Sequence, residues 1–283
     1  MTSSITGEPE SGMILGEGNG MARTAEKTAA HTATHHGPQM PPLPSSAIDW
    51  ALFLDLDGPL LNLALTPDDV QISPQLCKLL TRFQNCLRGA VALVSGRSIE
   101  TLDQLFEPAF LPTAGLYGAE RRNAHGELFS LSVPDEKLQE LSRGAQEIAL
   151  KLPGVLLEDK RYIMAFHYGN ARWQRTALRA AITTLAMNLG FEVKSGRDMY
   201  EIKPRDTDKG AALAAFMSEA PFSGRKPILL SDGISDERAL NVINTNGGMA
   251  IEVGDHGFSA ANFILHEPAD AFRWLYQWQE RIL

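Results

Sequence analysis

Asp55 and Asp57 stand two positions apart at the end of an apolar run, in the stretch FLDLDGPLLN at residues 53–62. The preceding Trp50-Ala51-Leu52-Phe53-Leu54 reads as a strand buried on both faces, and side chains at i and i+2 of a strand point the same way. Both carboxylates therefore converge where the strand leaves the core, the edge at which open α/β sheets bind ligands. Other polar groups follow apolar runs in the same manner: Ser95 and Arg97 end AVALVSGR, Lys209 opens a helix in TDKG, and Asp232, Asp236 and Glu237 lie in SDGISDE. Such a set suits phosphoryl transfer to a carboxylate. A phosphate monoester is dianionic near neutral pH, so an attacking carboxylate needs cations and donors around the phosphoryl oxygens. Mg²⁺ on hard oxygen ligands and Lys209 would neutralise that charge, Ser95 and backbone N–H groups would hold the oxygens, and Asp57 is placed to protonate a poor alkoxide leaving group.

The elements that must position these groups alternate helix and strand. SPQLCKLLTRFQNCLRG has Ser73 as N-cap, Pro74 at the first helical position, and Leu76, Leu79, Leu80, Phe83 and Leu87 on one stripe, with Gly89 ending it. AVALV, LPTAGLYG, KPILLS and GGMAIEV read as further strands, with SDERALNVIN a helix. Strand after strand delivers a hydroxyl or carboxylate at its carboxyl end, as a parallel sheet with helical crossovers does. Between residues 120 and 203 the grammar changes. ERRNAHGELFSL, GVLLEDKRYIMAFHYG and FEVKSGRDMYEIKP look like strands and hairpins, with helical stretches at about 134–151 and 171–188 among them. The expected fold class is α/β: a Rossmann-like core at 48–119 and 204–283 with an inserted α+β cap at 120–203. Residues 1–47, rich in Ser, Thr, Gly, Ala and Pro, are expected to be a disordered tail, or in part an over-long start. His31, His35 and His36 within it lack Cys or acidic neighbours and read as solvated rather than as a metal tract.

Charge and composition narrow the partners. A net charge of −8 over 283 residues gives no electrostatic reason to expect nucleic acid or an anionic membrane. No apolar stretch approaches the roughly 20 residues that span a bilayer. Cys77 and Cys86 fall on nearly opposite faces of one helix, so they do not pair, and a cytoplasmic location is the natural reading.

In order along the chain, DLDG, SGR, DKG and SDGISDE resemble the four motifs of the haloacid dehalogenase superfamily. GLYGAERR, LEDK, FHY, EIKPRDTDKGAAL and EAPFSGRKPILL are similar to bacterial trehalose-6-phosphate phosphatases, over about residues 50 to 280. The resemblance implies Asp55 as nucleophile and Asp57 as general acid/base, with Asp55, the Asp57 carbonyl, Asp232 and Asp236 around Mg²⁺. Ser95 and Lys209 become phosphate ligands, Arg97 joins the substrate-binding set, and Arg122, Glu158, Lys160 and Glu201 match positions that bind the sugar. It implies a small-molecule sugar phosphate as partner and a monomer or weak homo-oligomer. Two positions depart from the family pattern: Pro59 stands where Thr is usual, and Gly233 replaces an acidic residue. Taken singly, Ser95 reads as a helix cap, Lys209 as a solvated charge, and Glu158 and Lys160 as a hairpin turn. Two other functions stay open, a phosphatase for another sugar phosphate and a catalytically weakened sugar-phosphate-binding protein.

Overall fold

Trp50–Leu54 forms strand β1, buried from Ala51 onward, and the chain then alternates as its apolar runs dictate. The computed structural model describes residues 40–60, 72–106, 111–196, 198–205, 207–233, 237–254 and 261–283. Helix α1 (Pro74–Cys86) starts at the expected cap, Ser73 Oγ accepting from the Leu76 N–H at 3.2 Å, and it buries Leu76, Leu79, Leu80 and Phe83. There follow β2 (Val91–Val94), α2 (Ile99–Phe106) and β3 (Thr113–Gly115). The chain then runs through β4 (Glu120–Arg122), β5 (Leu128–Ser130), α3 (Asp135–Lys151), β6 (Leu156–Asp159) and β7 (Met164–His167). Next come α4 (Arg175–Leu189), β8 (Phe191–Gly196), β9 (Met199–Pro204), α5 (Lys209–Met217) and β10 (Lys226–Ser231). Last are α6 (Glu237–Thr245), β11 (Met249–Val253), β12 (Phe263–Leu265) and α7 (Pro268–Ile282).

Among the described residues these strands build two sheets. An eight-stranded sheet runs in the order β12-β11-β10-β1-β2-β3-β4-β5, parallel from β12 to β3 and antiparallel at β3-β4 and β4-β5. Its central strands are buried on both faces under helices, which is why they read as unbroken apolar runs. Phe53 stacks on Phe222 at 5.4 Å and Phe83 meets Trp278 of α7 at 4.9 Å, tying β1, α1 and α7 to one core. A four-stranded antiparallel sheet, order β6-β7-β9-β8, has a separate apolar cluster with α3 and α4 on one face.

Two expectations about boundaries meet a different arrangement. Residues 120–130, grouped by sequence with the insert, extend the large sheet as β4 and β5. The tight turn at Leu116–Gly118 folds β4 straight back onto β3, so the chain pairs locally before it crosses to the second sheet. Short strands signal pairing, but not with which sheet. The end of the expected tail also packs: Pro41 and Pro44 are buried, and Trp274 Nε1 donates to the Pro41 carbonyl at 3.0 Å. Residues 1–39, including the three histidines, lie outside the described residues.

Candidate active site

Parallel strands bring the candidate groups to one edge of the large sheet. Asp55 follows β1, Ser95 follows β2, Ser231 ends β10, and Lys209 is the first residue of α5, whose N-cap Asp208 accepts from the Ala211 N–H at 2.5 Å. Asp55 is only 2% exposed. Its Oδ2 accepts from the Lys209 ammonium and from Ser231 Oγ at 2.8 Å, while Lys209 Nζ also reaches Ser231 Oγ at 3.2 Å. Burial alone pulls the Lys209 pKa down, but Asp55, and beyond it Asp232 and Asp57, outweigh this and raise it, so the side chain stays a cation.

Asp57 is held from the second strand. The Arg97 guanidinium grips it in a fork, Nε at 2.9 and 3.0 Å from the two carboxylate oxygens and Nη2 at 2.8 Å from Oδ1. Ser95 Oγ lies at 3.5 Å from Asp57 Oδ2 and accepts from the Arg97 backbone N–H at 3.1 Å. Arg97, expected to meet substrate, thus engages the candidate acid, and Ser95 leans the same way.

Asp232 closes on the same loop. Gly58 has φ +92°, and a Cβ there would sit 2.7 Å from Asp232 Cγ and Oδ2, so glycine is needed both for the turn and for the approach. Among the described residues no three carboxylate, imidazole or thiol groups cage a metal by themselves. Mg²⁺, however, takes one or two carboxylates and completes its shell with other oxygens. Asp232, packed against Gly58, and Asp55, both charged neighbours of Lys209, fit that donor chemistry; Asp236 lies outside the described residues.

The small sheet supplies a second set of charges. Directly opposed residues run across it as Glu158, Ala165, Glu201 and Lys194, so their side chains share one face. Lys160, in the turn after β6, lies 3.5 Å from Glu158 and 3.6 Å from Glu201, and His167 Nε2 is 3.1 Å from Glu158. Burial pushes the Glu158 carboxyl up, but His167 and Lys160 together hold it below the usual carboxylate range. Glu201, 3% exposed, accepts from the Tyr117 hydroxyl at 2.8 Å. Tyr117 follows β3 on the large sheet, so this bond joins the two sets.

Arg122 does not join them. It is fixed in β4, its guanidinium bidentate to Asp103 with both bonds at 2.6 Å and a third to the Leu111 carbonyl at 3.1 Å, so it buttresses β4 against α2. Sequence reasoning passed over Tyr117, Lys194, Ser231 and His167. Three of these had a legible signal. Ser231 follows a buried strand as Ser95 does, His167 stands in the FHY stretch, and the register of β8 on β9 sets Lys194 opposite Glu201.

Comparisons with known proteins bear on the fold and the family. The chain matches the family described as Trehalose-phosphatase over residues 53–265. It is 37% identical over 237 residues to trehalose-6-phosphate phosphatase of Escherichia coli strain K12, covering 82% of this chain and 87% of that protein. The crystal structure of a trehalose-6-phosphate phosphatase related protein superposes with a TM-score of 0.69 at 23% identity, over 81% of this chain and 97% of the other. A haloacid dehalogenase-like hydrolase from Bacteroides thetaiotaomicron does so at 0.59 and 18%, over 83% and 100%, and the two share the fold of this chain. An α/β core that sets the paired aspartates after β1 and the lysine at the start of α5, matched over most of its length, places the chain in the trehalose-phosphatase family.

Proposed function

We propose that this chain hydrolyses trehalose 6-phosphate to trehalose and phosphate through an aspartyl-phosphate on Asp55. The observation that carries the reading is Asp55 itself, a buried carboxylate oriented by Lys209 and Ser231 at the sheet edge, opposite a charged face built of Glu158, Lys160 and Glu201. In the first step a carboxylate oxygen of Asp55 attacks phosphorus and the sugar oxygen leaves with a proton from Asp57. In the second, Asp57 takes a proton from water as the water attacks the acyl-phosphate, and phosphate departs. Arg97 occupies both oxygens of Asp57, so it swings away to let that carboxyl face the leaving oxygen, and its guanidinium is then free for the phosphoryl group. Ser95 and Lys209 hold the remaining phosphoryl oxygens.

Asp55, the Asp57 backbone carbonyl and Asp232, with Asp236 in support, would hold Mg²⁺. Bound there, Mg²⁺ supplies charge neutralisation for a dianionic substrate. Recognition of the distal glucose falls to Glu158, Lys160 and Glu201, whose donors and acceptors suit sugar hydroxyls. In this reading the small sheet with α3 and α4 is a cap on the Rossmann-like core. The enzyme works in the cytoplasm, as a monomer or weak homo-oligomer, on a small sugar phosphate. Phosphate release from a panel of trehalose, sucrose and glucosyl-glycerate phosphates tests it. The expected result is the highest kcat/KM for trehalose 6-phosphate. Preference for another member reassigns the substrate, and binding without turnover would mean that Pro59 and Gly233 have silenced the site.

A further inference from the structure

Lys194 has no part in the mechanism above, yet the fold brings its amine to the centre of the site. Register on β8 sets it directly across from Glu201, on the charged face of the small sheet. Its ammonium lies 3.5 Å from the centroid of the Tyr117 ring. Tyr117 is itself held over the SGR loop: a Cβ on Gly96 would stand 2.7 Å from the phenol Cζ and OH. That loop carries the Ser95 and Arg97 groups that grip Asp57. The turn that aims the phenol this way is a left-handed one, with φ of 51° at Leu116, 57° at Tyr117 and 93° at Gly118, a conformation that β-carbons resist and that surrounding structure must hold in place. Among the described residues Lys194 makes no salt bridge, although Glu201 and Asp55 lie within electrostatic range, as do the cations Lys209 and Lys203.

We propose that Lys194 is a phosphate-binding residue delivered by the small sheet, its ammonium leaving the Tyr117 ring to meet the phosphoryl oxygens of the bound sugar phosphate. The inference rests on the phosphatase reading and adds to it a second cation, from the small sheet. An ammonium is held less strongly on an aromatic face than in a charge-assisted bond to phosphate, so the exchange favours the substrate complex. Burial, and then repulsion from Lys209, depress the Lys194 pKa to about 8, and a dianion beside it relieves the repulsion between the two cations. A phosphate bridged between Lys209 on the core and Lys194 on the cap also links closure of the site to the presence of substrate.

Calorimetric titration of inorganic phosphate, with Mg²⁺ present, into the full-length wild type and the Lys194→Met, Lys194→Gln and Lys194→Arg variants tests the assignment. Met and Gln are expected to weaken phosphate binding roughly ten- to hundredfold and to raise KM for trehalose 6-phosphate more than they lower kcat. Arg is expected to recover most of the loss. Equal phosphate affinity in wild type and both neutral variants would overturn the assignment, as would a loss that Arg fails to recover, which marks a packing role on Tyr117. Wild-type protein that binds no phosphate would overturn the phosphatase reading itself, a different outcome from neutral variants that bind as well as wild type.

Discussion

The two aspartates of DLDG differ in what holds them, and their substitutions should differ accordingly. Asp57 is gripped by Arg97 and has a proton to deliver only when the leaving group needs one. Asp57→Asn is therefore expected to slow hydrolysis of trehalose 6-phosphate roughly 10²- to 10⁴-fold, but that of nitrophenyl phosphate much less, because nitrophenolate leaves unprotonated. Equal losses on both substrates would remove Asp57 from the acid role. Ser231, 1% exposed, donates to Asp55 Oδ2 alongside Lys209. A hydrogen bond to a charged group is worth about 1.5–3 kcal/mol, and sharing the carboxylate with Lys209 lowers its weight, so Ser231→Ala should cut kcat by roughly tenfold with KM little changed. Unchanged kcat would show that Lys209 alone orients the nucleophile. At this scale Asp55 and Asp57 were legible because charge beside a buried run demands a reason, whereas Lys209, a solvated charge when taken singly, stood out only through the DKG stretch. The Arg97 fork was not, since a pair forty positions apart becomes neighbours only once β1 and β2 lie side by side.

Elements explain which charges face which way. On β6, β7, β9 and β8 alternation sends Leu157, Phe166, Tyr200 and Val193 toward α3 and α4, and Glu158, Glu201 and Lys194 to the other side. A one-residue slip in any of these strands would bury the charges and expose the apolar cluster, so the same register that stabilises the small sheet also sets its recognition face. Glu201→Ala or Lys160→Ala should lower kcat/KM for trehalose 6-phosphate by about 5- to 150-fold, the cost of leaving one polar group of the complex unpaired, and leave a small aryl phosphate nearly unaffected. Parallel losses on both would assign these residues to cap folding or closure. The hairpins were readable from their turns, and α1 from Ser73, Pro74 and its leucine stripe. The membership of β4 and β5 was not, because three-residue strands carry too little pattern to choose between sheets. Arg122, which the family resemblance set among the sugar ligands, pairs with Asp103 of α2.

Across the whole molecule, one sheet carries the buried Asp55 and the other a face of Glu158, Glu201 and Lys194, and the bond from Tyr117 to Glu201 spans them. In the proposed reading phosphate, common to every monoester, engages the core together with Lys194, and the sugar engages the other charges of the small sheet, so selectivity rests mainly on that sheet. The order of motifs along the chain led to the expectation of this division, whereas the contacts that couple its halves, Tyr117 with Glu201 and Lys194, arise only when the two sheets meet. The central claim is covalent phosphatase chemistry at Asp55 on trehalose 6-phosphate. Its most direct test is phosphate release from that substrate, with Mg²⁺, by the wild type and by Asp55→Asn at matched fold content. The expected result is steady turnover by the wild type and a loss of roughly 10³-fold or more in the variant, since an amide forms no acyl-phosphate. Appreciable turnover by Asp55→Asn, or none by the wild type, would contradict the account.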